Sequence, residues 1–293
     1  MRLFRAVSTA LAALALGACE APDAEEPALL EVFHEDLSES SGLATSSARP
    51  GVWFTHNDSG GDPELFAFTL DGGLLEVHPV QGARARDWED IAAGSCPDGE
   101  SPCLYIADIG DNARKRDSVQ VYAVTVPGPG ETAPVVASWD LEYPDEARNA
   151  ETLLIDPRGG GRYLVTKARS GKSRVYRLPD DPGRGTLTRV ASLRFRGGSS
   201  SERLTTGGDW HPGGGRVVVR TYTEAWEWQV AASDREAHWK RDPRRIELPL
   251  EKQGEAIAYD GEGRLLSTSE GQPMRVSRTS LSPGSRDATR DAP

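Results

Sequence analysis

The chain has 293 residues, a formal net charge of −11, and hydrophobic side chains at 37% of positions. So acidic a balance excludes broad attraction to nucleic acid or to an anionic membrane face. The length suits one or two domains, and a single β architecture lies well within range.

At the start of the chain, Arg2 and Arg5 lead into an apolar stretch over residues 6–16, and Leu16-Gly17-Ala18-Cys19 supplies small residues at a cleavage point. This is the pattern of a signal peptide over residues 1–18. The apolar run falls short of the roughly 20 residues that a hydrocarbon core requires, and no later segment comes close, so no transmembrane span is expected. Leu-Gly-Ala-Cys resembles the lipobox of bacterial lipoproteins, which implies a lipid on Cys19 and attachment to a membrane outside the cytoplasm. Glu20, where an Asp would mark retention, resembles lipoproteins passed on to an outer membrane. Residues 19–28 are acidic and rich in Pro and Ala, and read as a flexible tether that holds the domain behind it near the membrane. With Cys19 set aside, Cys96 and Cys103 form a pair seven positions apart in an oxidising compartment, and a local disulfide is expected.

Residues 29–280 read as one all-β domain, and residues 281–293 as a polar, disordered tail. A short unit recurs five times: Ser40-Ser41-Gly42-Leu43-Ala44, Trp88-Glu89-Asp90-Ile91-Ala92, Ala150-Glu151-Thr152-Leu153-Leu154, Gly207-Gly208-Asp209-Trp210 and Gly254-Glu255-Ala256-Ile257-Ala258. Each is followed by a β-rich run with a polar end, over residues 52–58, 104–108, 163–167, 217–221 and 265–270, and then by a third run. A fourth run closes the first four units, while the fifth runs out of chain. The unassigned segment Leu29-Leu30-Glu31-Val32-Phe33 is expected to complete the last unit. This pattern predicts a five-bladed β-propeller of four-stranded blades, with a six-bladed count and a β-sandwich as the alternatives.

In antiparallel meanders the start of each first strand and the end of each second lie at one edge, so the polar clusters of all units face one mouth. Aligning the second strands places His56, Asp108, Lys167, Thr221 and Ser269 in equivalent positions. Several carboxylates around one axis repel unless a cation sits among them, and hard oxygen ligands suit Ca²⁺. Asp58, Glu89, Asp90, Asp108, Asp111, Asn112 and Glu255 are the candidate metal ligands. Lys167, Arg169 and Arg220 are the candidates to hold an anionic substrate, and His56 or Glu151 the candidate general base. The competing reading gives Asp and Asn at strand ends to Asx-turns and gives the glutamates to neighbouring arginines.

The segments His56-Asn57-Asp58-Ser59-Gly60, Asp87-Trp88-Glu89-Asp90-Ile91-Ala92 and Asp108-Ile109-Gly110-Asp111-Asn112 resemble those of a group of exported bacterial propeller proteins described as phytase-like or esterase-like. Asn149-Ala150-Glu151, Val165-Thr166-Lys167 and Gly254-Glu255-Ala256-Ile257-Ala258 fit the same group. The resemblance implies calcium in an acidic mouth with basic residues opposite that hold phosphate. It departs from the six-bladed calcium-dependent phytases in showing five repeats and fewer basic residues. Two functions follow as expectations: a membrane-anchored, calcium-dependent hydrolase of phosphate esters or related esters, acting on a small anionic substrate, or a non-catalytic surface propeller that binds a protein or glycan partner. No Gly-x-Ser-x-Gly elbow is present, which argues against a serine esterase. A monomer without nucleic-acid partners is expected.

Overall fold

The computed structural model describes residues 29–279 apart from Gly160 and Arg235. The expected signal peptide, the lipidated Cys19, the tether and the tail lie outside the described residues.

The described chain is almost entirely strand and turn, with one short 3-10 turn at Ala237–Lys240. In chain order the strands are β1 (Leu30–Val32), β2 (Ala44–Thr45), β3 (Trp53–Thr55), β4 (Glu64–Thr69), β5 (Gly73–Gln81), β6 (Trp88–Ser95), β7 (Pro102–Asp108), β8 (Val119–Thr125) and β9 (Ala133–Glu142). They continue as β10 (Ala150–Asp156), β11 (Gly161–Thr166), β12 (Lys172–Arg177), β13 (Gly183–Thr186), β14 (Thr188–Arg194), β15 (Thr205–Trp210), β16 (Arg216–Thr221), β17 (Glu224–Gln229), β18 (Arg244–Glu247), β19 (Gly254–Tyr259), β20 (Leu265–Ser269) and β21 (Met274–Thr279). Strands such as β10, β16 and β19 carry short apolar runs and are buried almost throughout, as happens when a sheet is covered on both faces. Tight turns join them. At Asp71-Gly72-Gly73 the hairpin places Gly73 at φ 74°, in the left-handed region that a residue with a Cβ resists.

The strands form five four-stranded antiparallel meanders: β2–β5, β6–β9, β10-β11-β12-β14, β15–β18, and β19-β20-β21 completed by β1. The unassigned N-terminal segment therefore finds its place as expected. Leu30, Glu31 and Val32 pair with Val276, Arg275 and Met274, and the Leu29 N–H donates to the Val276 carbonyl at 2.8 Å. β1 runs from the far end of β21 toward its start. Two parallel contacts cover the outer strand of the second unit, one from β5 at Ala133 and Pro134 and one from β13 along residues 139–142. An uncovered edge there would be a template for pairing with other chains.

The core is divided into five apolar clusters, each between consecutive units. Phe54, Leu65 and Ala67 pack on Ile91, Leu104 and Ile106. Tyr105 and Trp139 pack on Leu153, Leu164 and Tyr176. Tyr163, Val165 and Phe195 meet Trp210, Val217 and Trp228. Val218, Ala225 and Ile246 meet Ile257 and Leu265. The cycle closes where Val32, Met274 and Val276 of the last unit meet Trp53, Phe66 and Phe68 of the first. Within the cluster between the second and third units, the Cys96–Cys103 disulfide is present as expected and pins the β6–β7 hairpin, with the two Cα atoms 4.9 Å apart.

Val32 is 1% exposed inside the closing cluster and Phe33, its neighbour, is 67% exposed. Val32→Asp buries an unpaired charge and is expected to lower the unfolding free energy by about 3 kcal/mol, whereas Phe33→Asp should change it by about 0.5 kcal/mol or less. Urea denaturation followed by tryptophan fluorescence reads both, and equal midpoints for the two variants would show that β1 contributes nothing to closure.

Candidate functional site

A local irregularity builds the site. Each first strand carries one extra residue near its start relative to the second strand. The register shifts between Trp88 and Asp90, Ala150 and Thr152, Thr205 and Gly207, and Gly254 and Ala256. The first unit has the same offset between Ser40, bridged to Asn57, and Ala44, paired with Phe54. A bulge of this kind re-aims the side chain of the extra residue. In the second, third and fifth units that residue is Glu89, Glu151 and Glu255. In the fourth it is Thr206, whose hydroxyl donates to the Gly254 carbonyl at 3.1 Å, and in the first Ser41 donates to the Glu89 carbonyl at 2.8 Å. Two units thus use the position to tie themselves to a neighbour, and three use it to present a carboxylate.

The same pairing corrects the alignment of the second strands. The residues opposite the bulge entrance are Asn57, Asp108, Thr166, Thr221 and Ser269, so His56 and Lys167 each sit one place from the position the sequence alignment assigns them. For His56 this matters most. It is fully buried, hydrogen-bonded through Nδ1 to the Asn57 carbonyl at 2.9 Å and packed edge-on to Trp88. Burial lowers its pKa to about 4, so the ring is neutral at physiological pH.

Asp58, Asp87 and Glu89 each bring a carboxylate oxygen to within 4.8 Å of the others. Backbone contacts position them: the Trp88 N–H donates to the Asp58 carbonyl at 2.8 Å, the Asp58 N–H to the Glu39 carbonyl at 2.9 Å, and the Gly110 N–H to the Asp87 carbonyl at 3.1 Å. Gly110 is the wall behind them. A Cβ there would lie 2.2 Å from Glu89 Oε1 and 2.3 Å from the Asp87 carboxylate, so any larger residue at this point would push the two carboxylates from their places. Glu151 continues the cluster, with Oε1 accepting from Asn149 at 2.8 Å and Oε2 lying 3.0 Å from Lys167 Nζ. Lys167 also donates to the Tyr222 hydroxyl at 3.0 Å. Asp58 Oδ1 and Glu255 Oε2 are buried with no hydrogen-bond partner.

The electrostatics follow from burying like charges together. Burial, reinforced by Asp87, Glu151 and Glu255, pushes Asp58 up to about 8. Burial followed by repulsion from Glu151 and Asp58 raises Glu89 well above the usual carboxylate range. Glu255 rises to about 7, mainly by burial, against the opposing pull of Lys167. Burial works against the Lys167 ammonium, but Glu151 and Glu255 outweigh it and hold its pKa above the ordinary lysine value.

Several expected ligands are engaged by other partners. Asp90 is fully buried, and its two oxygens accept the Ile91 and Leu153 N–H groups at 2.9 Å each, tying the second unit to the third. Asp209 does the same between the fourth and fifth units, accepting from Trp210 and Tyr259 at 2.8 Å. Asp108 is paired with Arg116 at 2.7 Å, and Asp111 accepts the Lys115 and Arg116 N–H groups at 2.9 Å. Asn112 is exposed and accepts from Asn149 at 3.2 Å. Arg220, expected to hold substrate, is wholly buried; it donates to the Thr221, Ala256 and Tyr222 carbonyls and pairs with Glu251 at 3.0 Å. Arg169 is exposed. Asp58, Glu89, Glu151, Lys167 and Glu255 are brought together as expected. Asp87, which the sequence does not single out as a ligand, joins them, as do Tyr222 and Gly110.

No protein-family model matches the chain, and no curated protein is significantly similar to it.

Because Asp58, Glu255 and Asp209 have raised native pKa values of about 8, 7 and 7, the native state binds protons that the unfolded chain has already released. Their contribution to stability is complete below about pH 4 and is lost as pH rises through the native values. Protein depleted of divalent cations is therefore expected to melt at a lower temperature at pH 8.5 than at pH 6, measured by scanning calorimetry. A melting temperature that rises over this interval would contradict the burial of the cluster. Asp90→Ala should cost about 3 kcal/mol in urea unfolding, because two buried N–H groups lose their acceptor.

Proposed function

We propose that the five sheets are the blades of a five-bladed β-propeller, held outside the cytoplasm by a lipid on Cys19, whose acidic mouth binds a hard divalent cation and hydrolyses a phosphate ester or related ester. The observation that carries this reading is the Asp58, Asp87 and Glu89 cluster, three carboxylates with oxygens within 4.8 Å, in which Asp58 Oδ1 is buried and unpartnered. Carboxylate oxygens without sulfur or imidazole among them favour calcium over zinc or copper. Asp58, Asp87 and Glu89 would hold the ion. A divalent cation there would supply a Lewis acid to polarise the ester oxygen.

The chain's own residues supply the rest. Glu151, next to Glu89 and answered by Lys167, is the general base of this reading, because burial raises its pKa and thereby its affinity for a proton. Lys167 holds Glu151 in place and takes the anionic end of the substrate with its remaining donor capacity. A non-catalytic surface propeller is the second reading. It is favoured by the engagement of Lys167 with Glu151 and Tyr222, since a cation so held has less to offer a substrate.

Calcium at a hundred times its dissociation constant is expected to stabilise the wild type by about 2.7 kcal/mol, seen as a rise in melting temperature that a chelator reverses. At pH 8.5 and without calcium, where Asp58 is ionised, Asp58→Asn should melt higher than the wild type, because a repelling charge is gone, and it should lose the calcium response. A wild type indifferent to calcium and chelator overturns the metal reading. Where calcium does stabilise, turnover of an aryl phosphate or lactone that falls by about a hundredfold or more in Glu151→Gln supports the hydrolase, and calcium binding without turnover of any ester assigns the second reading.

A further inference from the structure

A second concave site lies outside the acidic cluster, on the outer half of the third unit. β12 and β14 pair with Lys172 opposite Arg194, Arg174 opposite Ser192, and Tyr176 opposite Arg189. Residues two apart share a face of a sheet, so Lys172, Arg174, Ser192 and Arg194 lie on one side. A register shift between Val175 and Tyr176 inserts Val190 as an extra residue and brings Arg189 to that same side. With Arg114 and Arg148 from the loops that precede the unit, these residues line a cavity of about 510 Å³ that contains six cationic side chains and no carboxylate.

In a chain of net charge −11 such a concentration of one sign needs an account. Asp145 answers Arg148 and Arg174 from the rim, and Glu146 also pairs with Arg148. Among the described residues, Arg114, Lys172, Arg189 and Arg194 have no carboxylate partner. Like charges directly opposite on paired strands destabilise the pair, so the Lys172 and Arg194 arrangement costs the free protein stability. Charged residues on an outer strand can serve simply to block edge-to-edge pairing. That purpose requires neither a concave shape, nor a bulge that turns Arg189 inward, nor two further arginines contributed from loops.

We propose that this cavity binds a ligand carrying two or more phosphate groups. Guanidinium forks match phosphate oxygens two at a time, and five of the six cations are arginines. The ligand sits across the β12–β14 pair, where its charge relieves the repulsion between Lys172 and Arg194. Two sources offer this chemistry, a soluble polyphosphorylated molecule and a bisphosphorylated lipid headgroup. The proposal is independent of the metal reading, because none of the six residues belongs to the acidic cluster.

The test uses the full chain, depleted of divalent cations on a chelating resin so that the acidic mouth does not contribute. Tripolyphosphate binding is measured by calorimetry, and co-sedimentation is measured with phosphatidylcholine vesicles with and without cardiolipin. Arg194→Glu is the informative variant, because it turns a like-charged cross-strand pair into an opposite one and should melt no lower than the wild type. Tripolyphosphate that binds the wild type and binds Arg194→Glu about tenfold more weakly supports the site with a soluble ligand. Cardiolipin-dependent sedimentation that Arg194→Glu loses, without tripolyphosphate binding, supports it with a lipid headgroup. Binding that Arg194→Glu leaves unchanged, or no binding of either probe, overturns the proposal.

Discussion

One extra residue near the start of each first strand shapes the acidic mouth. A regular strand alternates its side chains between two faces, and every residue on these strands would then pack against a neighbouring sheet. The bulge breaks that alternation once per unit, near the start of the first strand, and re-aims one side chain. Glu89, Glu151 and Glu255 occupy that place in three units, and Ser41 and Thr206 use it to bond a neighbour's backbone. The same local geometry therefore yields either a carboxylate in the acidic cluster or an interunit clasp, depending on whether the side chain is long and charged or short and hydroxylic.

Carboxylates in this molecule divide into two populations. Asp90, Asp108, Asp111 and Asp209 are satisfied by backbone N–H groups or by Arg116, and they join strands, loops and units. Asp58, Asp87, Glu89, Glu151 and Glu255 crowd one another, with Lys167 in their midst. The first population is held by specific hydrogen bonds and ion pairs, although burial raises the pKa of Asp90 and Asp209 as well. The second raises the energy of the folded chain whenever all of its members are ionised, and the raised pKa values of Asp58 and Glu255 express that tension. Arg220 obeys the same division on the cationic side: wholly buried among carbonyls, it belongs to the scaffold, whereas Lys167 belongs to the cluster.

Stability is distributed around the molecule to match. Five apolar clusters each bridge two successive units, so no unit has a core of its own and each depends on both neighbours. Closure depends on β1, because a three-residue strand from the beginning of the described chain completes the last sheet. The uneven use of arginine follows from the same frame. Arg116, Arg158 and Arg220 are spent on paired contacts within the scaffold, while those of the outer third unit gather in a cavity that lacks any carboxylate in its lining.

Much of this was legible in the linear chain. Period-two and wholly apolar runs with Gly and Asp punctuation identify strands and hairpins, because those signals depend only on neighbours in sequence. The spare strand at residues 29–33 predicts the partner of β1. Spacing and compartment predict the Cys96–Cys103 disulfide. What the sequence could not decide is which member of an acidic pair faces the mouth. Glu89 and Asp90 are adjacent and equally charged, and a one-residue bulge sends the first into the cluster and the second into the backbone of the next unit. His56 and Lys167 were misplaced by a single position for the same reason, and the inward turn of Arg189 depends on a second bulge that no local pattern marks. Bulge positions are set by how the paired strand fits against its neighbours, and that fit exists only once the sheets have packed.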